Sequence, residues 1–386
     1  MTSDERGAVP SPSGEWAAHD GAPLLRTLAR ALIVLEARTG LDSFTLPYPP
    51  EAQRALDRTV LACLLAGEPP PAGLTELVDR CRTVPLTEWP LTLPPEAIGP
   101  EDRLLDEQSG RPTELCHEWA WRSPDTAAEF RDRQIVRAAL RLCREYGDEE
   151  AYTAFRGLLV RRPVLTTAEM YEVTGDLVLE PVRGLIRQIY RPVPDSYLFE
   201  DAYTVCGRCL TLLAPSEDGD WWCERDRCRR RGPAPVGRRI DRETAGEVCQ
   251  LERPLRQFVT GPGRAEADLE RELLALGLDV RMWPGYDAYD LLVVFPDGHR
   301  WAVDMKDWAH PVFLGRSARP VPHDPPYDEA FWAVPEHRVR TRPGYVTAFE
   351  RARPADARGL PLLTDTELVA RARARLRTRK GAFDGA

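Results

Sequence analysis

Two aspartates and a lysine stand around a predicted β-hairpin in residues 287–308. An apolar run leads into an Asp-Gly turn signal, and an extended pattern resumes after the turn. Asp290 precedes the first strand, and the period of two in the second strand places Asp304 and Lys306 on the same face. Carboxylate oxygens bind hard cations, and an amine beside them adds positive charge for a water nucleophile and the transition state. The pattern therefore predicts metal-assisted hydrolysis of a phosphodiester.

The lysine of this set is informative because lysine is rare in the chain. Only Lys306 and Lys380 occur among 52 basic residues, and the other fifty are arginines. Arginine therefore serves wherever charge alone suffices, whereas a compact amine with an adjustable pKa is not interchangeable with a guanidinium. A lysine at this position favours a catalytic role over the alternative, a surface salt bridge at a strand end.

Asp290 followed by Asp304-Met305-Lys306 resembles the motif of the PD-(D/E)xK nuclease superfamily of restriction enzymes and junction resolvases. The resemblance implies a Mg²⁺ ion, or Mn²⁺, held by Asp290, Asp304 and the carbonyl of Met305. Lys306 would orient or activate the water and stabilise charge, and Glu266 would complete the acidic set.

The elements upstream agree with this resemblance. A helix is predicted over residues 265–277, and Glu266 lies on the stripe of leucines that faces the core. A strand-like segment follows at 278–283, so a helix with an acid precedes three strands, which is the order of that nuclease core. Glu270 lies near the edge of the stripe and is a reserve candidate for the acid. Tyr289 stands where the motif name has a proline.

Four cysteines predict a structural zinc site. Cys206 and Cys209 are separated by two residues, thirteen residues follow, and Cys223 and Cys228 are separated by four. Two such pairs around a short strand-turn-strand segment are typical of a zinc ribbon, whose folding energy comes from the metal. Two disulfides and free thiols are the alternatives. Four thiolates leave no open position for water, so the site is predicted to be structural.

An arginine-rich segment follows the ribbon, with eight arginines in residues 225–242. Together with the neighbouring tryptophans it predicts contact with DNA phosphates and bases. A solvated linker, with the tryptophans in the ribbon core, is an equally good interpretation. The candidate DNA-contact residues are Trp221, Trp222, Arg229, Arg230 and Arg231.

Acidity is confined to the N-terminal part of the chain. Residues 1–130 contain 21 acidic and 11 basic residues, whereas residues 131–386 contain 40 and 41, and the whole chain has a net charge of -9. Amphipathic helices are predicted over 24–37 and 52–65. A mainly helical, acidic region suits a basic protein partner better than DNA. We therefore expect that deletion of residues 1–130 leaves cleavage intact and weakens a complex.

The predicted fold class is multidomain, with a mainly α N-terminal region, a zinc ribbon and a C-terminal α/β restriction-endonuclease-like domain with a mixed sheet. Residues 161–200 fit either a helical hairpin or a winged-helix-like DNA reader. In the last domain, strands are predicted over 331–334, 345–349 and 361–363, and a closing helix over 366–376. The predicted divisions are a disordered tail (1–22), a helical domain (23–160), a helical connector (161–200), the ribbon (201–240) and the nuclease domain (241–386).

The ribbon and the segments around the DxK motif also resemble restriction-endonuclease-related proteins encoded beside PIWI-RE proteins in prokaryotic defence islands. The resemblance implies invader DNA as substrate, and a PIWI-like (Argonaute-related) protein and a DinG-type helicase as partners. Nine cysteines, with no apolar signal region and no membrane span, predict a cytoplasmic protein. An inactive nuclease-fold subunit that binds DNA or regulates, and a processor of RNA or junctions, are the alternative functions.

Overall fold

The chain folds into two compact units, and the first is assembled from separated segments. The first unit comprises residues 1–126, 309–318 and 347–354, and the second comprises 127–308, 319–346 and 355–386. The computed structural model describes residues 21–38, 46–93, 97–121, 127–216, 219–230 and 232–383. Arg231 therefore lies outside the described residues. So does the predicted tail at 1–22, apart from Gly21 and Ala22.

The first unit is helical. Its helix Gly21–Arg38 packs against helices Pro50–Ala66 and Glu114–Trp121. The leucines of Gly21–Arg38 repeat at helical spacing and are buried, which confirms the predicted helices at 24–37 and 52–65. The further helices of this unit are Leu74–Thr83 and Pro311–Ser317.

The segment 309–318 enters the core of the first unit directly after the predicted catalytic strand. The buried carboxylate of Glu118 accepts the backbone N–H groups of Ala309 at 2.6 Å and His310 at 2.8 Å. The ring of Phe313 meets the edge of Trp119, with ring centroids 4.8 Å apart. The segment is therefore an integral part of the first unit, with its backbone donors satisfied.

The second unit begins with helices and a small sheet. Strands β1 (Val164–Thr166), β2 (Tyr190–Pro192) and β8 (Val248–Leu251) form an antiparallel sheet in the order β1-β8-β2. Its apolar side packs on the preceding helices around a core that includes Phe155 and Ile186. The helices of this part are Ala127–Tyr146, Glu149–Arg161, Thr167–Gly175 and Arg183–Ile189.

The cysteine-rich segment lies between β2 and β8. Strands β3 (Leu198–Phe199), β4 (Ala202–Cys206) and β7 (Val236–Asp241) form one sheet, and β5 (Leu213–Pro215) pairs with β6 (Trp221–Cys223) in a hairpin. Short helices follow at Asp226–Arg229, Arg242–Ala245 and Arg253–Leu255.

A five-stranded mixed sheet completes the second unit. Strands β9 (Asp279–Met282), β10 (Leu291–Val294) and β11 (Arg300–Met305) are antiparallel, whereas β12 (Glu329–Val334) and β13 (Leu362–Thr364) continue parallel to β11. One face buries alternate residues of the strands under helices Gly261–Leu274 and Asp365–Phe383. Helix Glu336–Thr341 also belongs to this unit, whereas most of helix Tyr345–Ala352 belongs to the first unit.

This architecture confirms the helical N-terminal region and the C-terminal mixed sheet. The strands predicted near 331–334 and 361–363 are present, as is the closing helix. The strand predicted at 345–349 is wrong, because Tyr345–Ala352 is a helix. Its buried residues Tyr345, Ala348, Phe349 and Ala352 repeat at i, i+3, i+4 and i+7, a helical period. The PD-(D/E)xK topology and the division into five segments stay predictions.

Candidate active site and candidate zinc site

The hairpin brings Asp290, Asp304 and Lys306 together. The Nζ atom of Lys306 lies 3.3 Å from Oδ2 of Asp290 and 3.2 Å from Oδ1 of Asp304. Asp290 and Asp304 are only 6% and 8% exposed, so these are charges held near the interior. The three residues that the sequence singled out therefore form one buried ion cluster.

Strand register explains how the cluster forms. Leu291 on β10 pairs with Val303 on β11, so Asp290 stands opposite the end of β11. The backbone N–H of Met305 donates to Oδ2 of Asp290 at 2.7 Å and fixes the carboxylate. The opposite face of β11 is apolar, since Val303 and Met305 lie in the core under the helices.

Glu266 projects from helix Gly261–Leu274 and is 2% exposed. Its Oε2 accepts a hydrogen bond of 2.6 Å from Nε1 of Trp283 and lies 3.8 Å from a guanidinium nitrogen of Arg156. The reserve candidate Glu270 pairs with Arg161 at 3.8 Å instead. Of the two acids, Glu266 is the one held in the buried network.

Sequence reasoning missed Tyr152, Arg156 and Asp287. Arg156 Nε lies 3.2 Å from Oδ2 of Asp287, and the hydroxyl of Tyr152 donates to the same oxygen at 3.0 Å. The two residues of helix Glu149–Arg161 are more than a hundred positions away in the chain, so no local pattern could have connected them to the hairpin. They bring a buried cation and a hydroxyl donor to the acids.

A left-handed turn carries Asp287 towards Asp290. Trp283, Tyr286 and Asp287 have φ values of 50°, 57° and 67°, a region that residues other than glycine rarely adopt. Gly285 in the same turn is held by Glu149, whose Oε1 accepts its N–H at 2.7 Å. Such strain persists where surrounding contacts impose it, and it clusters at functional sites.

The electrostatics of the cluster follow from burial. Burial raises the pKa of Asp290 well above its usual value, and the neighbouring carboxylates of Glu266 and Asp304 raise it further while Lys306 opposes them. Burial likewise raises the pKa of Glu266 against the opposing charge of Arg156. Burial disfavours the charged form of Lys306, but the surrounding carboxylates dominate and raise its pKa above the usual value. The negative charge of these acids therefore exceeds the positive charge of the side chains around them.

The donor chemistry of this cluster fits a hard cation. Its carboxylate oxygens are the ligands that Mg²⁺ prefers, and a divalent ion would offset the crowding that raises the acids' pKa values. Within the described ranges, however, the cysteine group is the only set of three or more metal-binding side chains whose donor atoms all lie within 4.8 Å of one another. Asp290, Asp304 and Glu266 therefore do not form such a set of three.

The four predicted cysteines converge as a closed tetrad. Cys206, Cys209, Cys223 and Cys228 are buried, and their Sγ atoms all lie within 4.8 Å of one another. The Sγ separations of 3.4 Å (Cys209–Cys223) and 3.9 Å (Cys206–Cys228) match a tetrahedron with Zn–S bonds of about 2.3 Å, whose edge is about 3.8 Å. Hydrogen bonds among the thiols lower the pKa of Cys206 and raise that of Cys223. The group fits a structural metal such as zinc.

Buried ion pairs join the ribbon to the rest of the second unit. Glu224, directly after Cys223, accepts from Arg256 at 2.8 Å and from Arg253 at 2.9 Å. Despite burial, these arginines hold the pKa of Glu224 at about 2. The next residue, Arg225, pairs with Asp307 at 3.4 Å. Asp307 follows Lys306 in the chain, so the ribbon is fastened beside the candidate active site.

The residues predicted to contact DNA differ in their exposure. Trp222 is 6% exposed and packs in the ribbon core, which favours the alternative interpretation for this residue. Trp221 is half-buried and meets Phe199 edge-on at 5.6 Å. Arg229 donates to the carbonyl of Cys223 and to Asp226, whereas Arg230 is exposed. A DNA contact by these residues stays a prediction.

Comparison with known families defines the class of the protein. Residues 263–380, which contain the whole five-stranded sheet, match the family model described as REase associating with pPIWI_RE. The C-terminal part of the chain is thus a restriction-endonuclease-related domain. Residues 24–166 match the model described as pPIWI_RE three-gene island domain Y. Together these matches confirm the predicted resemblance to the restriction-endonuclease-related proteins of PIWI-RE defence islands.

No curated protein and no solved structure matches the chain. Among the described residues, no helix has the length and apolar character needed to cross a membrane.

Proposed function

We propose that the protein is a Mg²⁺- or Mn²⁺-dependent endodeoxyribonuclease of the PD-(D/E)xK type, which cuts or nicks invader DNA for a PIWI-RE defence system. One observation carries the proposal. Lys306 Nζ lies within 3.3 Å of both Asp290 and Asp304 at the end of a mixed sheet. The family match supports it, because that sheet belongs to a restriction-endonuclease-related domain.

In this proposal Asp290, Asp304 and the carbonyl of Met305 hold the catalytic ion, which supplies positive charge for the scissile phosphate. Lys306 orients the attacking water and stabilises the negative charge that develops on the phosphate. Its ammonium is positioned by both carboxylates and by the ring of Trp332, whose centroid lies 5.6 Å from Nζ.

Glu266 completes the acidic set as a positioning residue. Its carboxylate is oriented by Trp283 and Arg156, so it is fixed relative to Asp290 before substrate arrives. The Zn²⁺ proposed for the cysteine tetrad is structural, because four sulfur ligands close the coordination shell.

The family names support a place beside a PIWI-like protein. We propose that the acidic N-terminal region binds such a protein, that a DinG-type helicase supplies unwound DNA, and that the complex acts in the cytoplasm. The charge difference along the chain supports this division, since like charge weakens an encounter with DNA and favours a basic protein surface.

One observation favours an inactive subunit as a second function. Oδ2 of Asp290 already accepts from Met305 and Lys306, and Arg156 already pairs with Glu266 and Asp287. A cluster whose acids already have partners within the chain would also suit a scaffold that binds DNA or regulates without cleaving.

A substrate panel tests the proposal. Supercoiled, linear, single-stranded and R-loop DNA, with RNA and a four-way junction beside them, are incubated with the full chain with and without Mg²⁺ or Mn²⁺. We expect cleavage of at least one DNA only with added metal, and none with Asp304→Asn. DNA binding without cleavage by zinc-loaded, folded protein would favour the inactive subunit, and cleavage confined to RNA or junctions would favour the processing function.

A further inference from the structure

A small arginine-lined cavity lies between the ribbon and helix Gly261–Leu274. Its volume is about 230 Å³. The wall combines the first cysteine knuckle, the short helix Asp226–Arg229 that carries Cys228, one side of helix Gly261–Leu274 and the residue after Lys306. Five guanidinium groups line it: Arg208, Arg225, Arg227, Arg264 and Arg271.

Positive charge exceeds negative charge in this cavity. Its two acidic residues, Asp268 and Asp307, are both engaged. Asp268 pairs with Arg227 at 2.7 Å and with Arg271 at 3.0 Å. Asp307 pairs with Arg225 at 3.4 Å and also with Arg338, which lies outside the cavity lining. Two carboxylates against five arginines leave an excess of three positive charges among these side chains, and the proposed zinc-thiolate group, whose Cys209 and Cys228 also line the wall, would offset part of it.

Of the two arginines that these acids do not pair with, Arg208 donates to backbone carbonyls, whereas Arg264 does not. Within the described part of the chain it forms no ion pair and no hydrogen bond, and its Nε atom is buried without a partner. A buried guanidinium donor without an acceptor is costly, because guanidinium groups otherwise find carboxylates, phosphates or water. Arg264 therefore has donor capacity for an acceptor from outside the chain.

The floor of the cavity is rigidly built. A Cβ atom at Gly261 would lie 2.1 Å from Nη2 of Arg225, so only glycine leaves room for this guanidinium. Arg208 is held by the carbonyl of Cys228, to which it donates at 2.7 Å. The side chain of Arg225 is 3% exposed and that of Arg271 is 70% exposed, so the arginines extend from the floor to the rim.

We propose that this cavity binds one backbone phosphate of the DNA strand that the active site receives, an assignment that rests on the proposed function. Guanidinium groups bind phosphate oxygens through paired, charge-assisted hydrogen bonds. The volume lies below the roughly 300–1,000 Å³ of pockets that enclose a whole small ligand, so it suits a phosphate group better than a free nucleotide.

The position of the cavity favours nucleic acid over free phosphate. Arg264 stands two residues before Glu266 on one helix, and Asp307 follows Lys306 directly. A phosphate held here is therefore fixed to the same two elements that carry the candidate catalytic residues. Such a contact would set the register of the strand relative to the scissile bond without reading its sequence.

The test measures DNA binding as a function of salt in buffer without added Mg²⁺, so that cleavage is not required. Labelled oligonucleotide anisotropy gives the slope of log K against log salt, which reports the number of neutralised phosphates. We expect Arg264→Ala to weaken DNA binding and to reduce the magnitude of the slope by about one. Arg264→Lys should retain most of the wild-type slope. Arg271→Ala on the exposed rim provides a second variant that does not disturb the core.

Arg281→Ala is the matched control. Its side chain is 67% exposed on β9 and, among the described residues, pairs only with Asp279, so we expect the substitution to leave the slope unchanged. Zinc content and melting temperature are measured for each variant, so that a folding defect is recognised. Unchanged slopes for both Arg264→Ala and Arg271→Ala, in folded protein that binds DNA, would overturn the proposal.

Two further outcomes separate the possible ligands and the two proposals. If inorganic phosphate raises the melting temperature through Arg264 while the DNA slope is insensitive to Arg264→Ala, the cavity is a free-phosphate site and the DNA assignment is wrong. If the slope falls as expected but no DNA is cleaved with metal, the phosphate cavity stands and the nuclease proposal fails.

Discussion

Arg156 holds two acids of the candidate active site in place. Its guanidinium lies 3.2 Å from Asp287 and 3.8 Å from Glu266, and it also stacks over the ring of Trp283 at 5.3 Å. The side chain is 8% exposed, so the ion pairs are poorly screened by solvent. Removal of this cation would leave two buried carboxylates without compensation.

We predict that Arg156→Leu destabilises the protein by about 3 kcal/mol or more, as expected when one partner of a buried ion pair is removed. Arg161→Leu is the matched control on the same helix, because Arg161 is 54% exposed and its pair with Glu270 is worth about 1 kcal/mol or less. Denaturant unfolding of both variants measures the loss in the free energy of unfolding for each. Equal, small losses would show that Arg156 is not a structural centre of the acid cluster.

The residues found from the sequence and those missed differ in how they reach the site. Asp290, Asp304 and Lys306 belong to one hairpin, and the strand period together with the scarcity of lysine predicted their common face. Arg156 and Tyr152 reach Asp287 only through tertiary packing of a distant helix, which no local periodicity encodes. Asp287 itself lies in the stretch that was predicted to form the hairpin. Its positive φ is uncommon in residues other than glycine, so the sequence did not predict this conformation.

At the scale of elements, the ribbon and the nuclease-related sheet are fastened together. Glu224 and Arg225 follow the third cysteine and form buried pairs with Arg256 and Asp307. A metal that holds Cys223 in position would also hold these two charges in position. With the proposed zinc bound, the ribbon would support the end of β11 as well as its own hairpin.

We predict that Cys223→Ser abolishes near-stoichiometric zinc binding and increases hydrogen exchange in both the ribbon and the end of β11, around residues 303–307. Loss of a thiolate opens the tetrahedral shell, and the attached ion pairs lose their anchor. Cys249→Ser is the control, since Cys249 lies outside the tetrad and contacts Glu247. Faster exchange limited to the ribbon would contradict this coupling, and zinc-free wild-type protein that is folded would contradict the site itself.

The helical connector predicted over 161–200 contains strands that the sequence did not indicate. Helix Glu149–Arg161, β1, two helices, β2 and β8 follow one another, with β8 between β1 and β2 in the sheet. The sequence suggested the two helices, whereas these short strands gave no signal of their own. The choice between a helical hairpin and a winged-helix-like DNA reader stays open.

The helix Tyr345–Ala352 shows where local interpretation failed. Tyr, Val and Phe favour strands by propensity, and that preference led to a strand over 345–349. The buried positions instead follow a helical period. Gly315 packs closely against this helix, next to Ala352 and the backbone carbonyl of Phe349. Tertiary packing against segment 309–318 outweighed the propensity.

At the scale of the whole molecule, the first unit is not a removable N-terminal domain. Residues 309–318 and 347–354 belong to it, although they lie within the restriction-endonuclease-related match. Conversely, the domain Y match continues to residue 166 and includes Arg156, which serves the acid cluster of the second unit. The two family matches are therefore interleaved in the folded protein.

We predict that a protein comprising residues 127–386 is unstable or insoluble, in contrast to the expectation from charge alone that residues 1–130 can be removed. Val312, Phe313, Leu314 and Phe349 are buried in the first unit and would be exposed, at about 1.5–3 kcal/mol for each such side chain. Soluble expression and thermal unfolding measure the effect. A matched truncation with Val312, Phe313 and Phe349 replaced by Ser should recover solubility, whereas a stable unmodified truncation would contradict the interleaved fold.

The most direct test of the central claim is metal-dependent DNA nicking by Lys306→Arg. The arginine keeps the charge, but its larger planar guanidinium cannot occupy the space in which Nζ lies 3.2–3.3 Å from two carboxylates. Wild type, Lys306→Arg and Asp304→Asn are compared at saturating Mg²⁺, with zinc content and melting temperature verified for each. We predict a loss of on the order of a hundredfold or more in rate for Lys306→Arg and no detectable nicking for Asp304→Asn. Nicking by Lys306→Arg at the wild-type rate would show that this lysine is not a catalytic group, and would contradict the proposed active site.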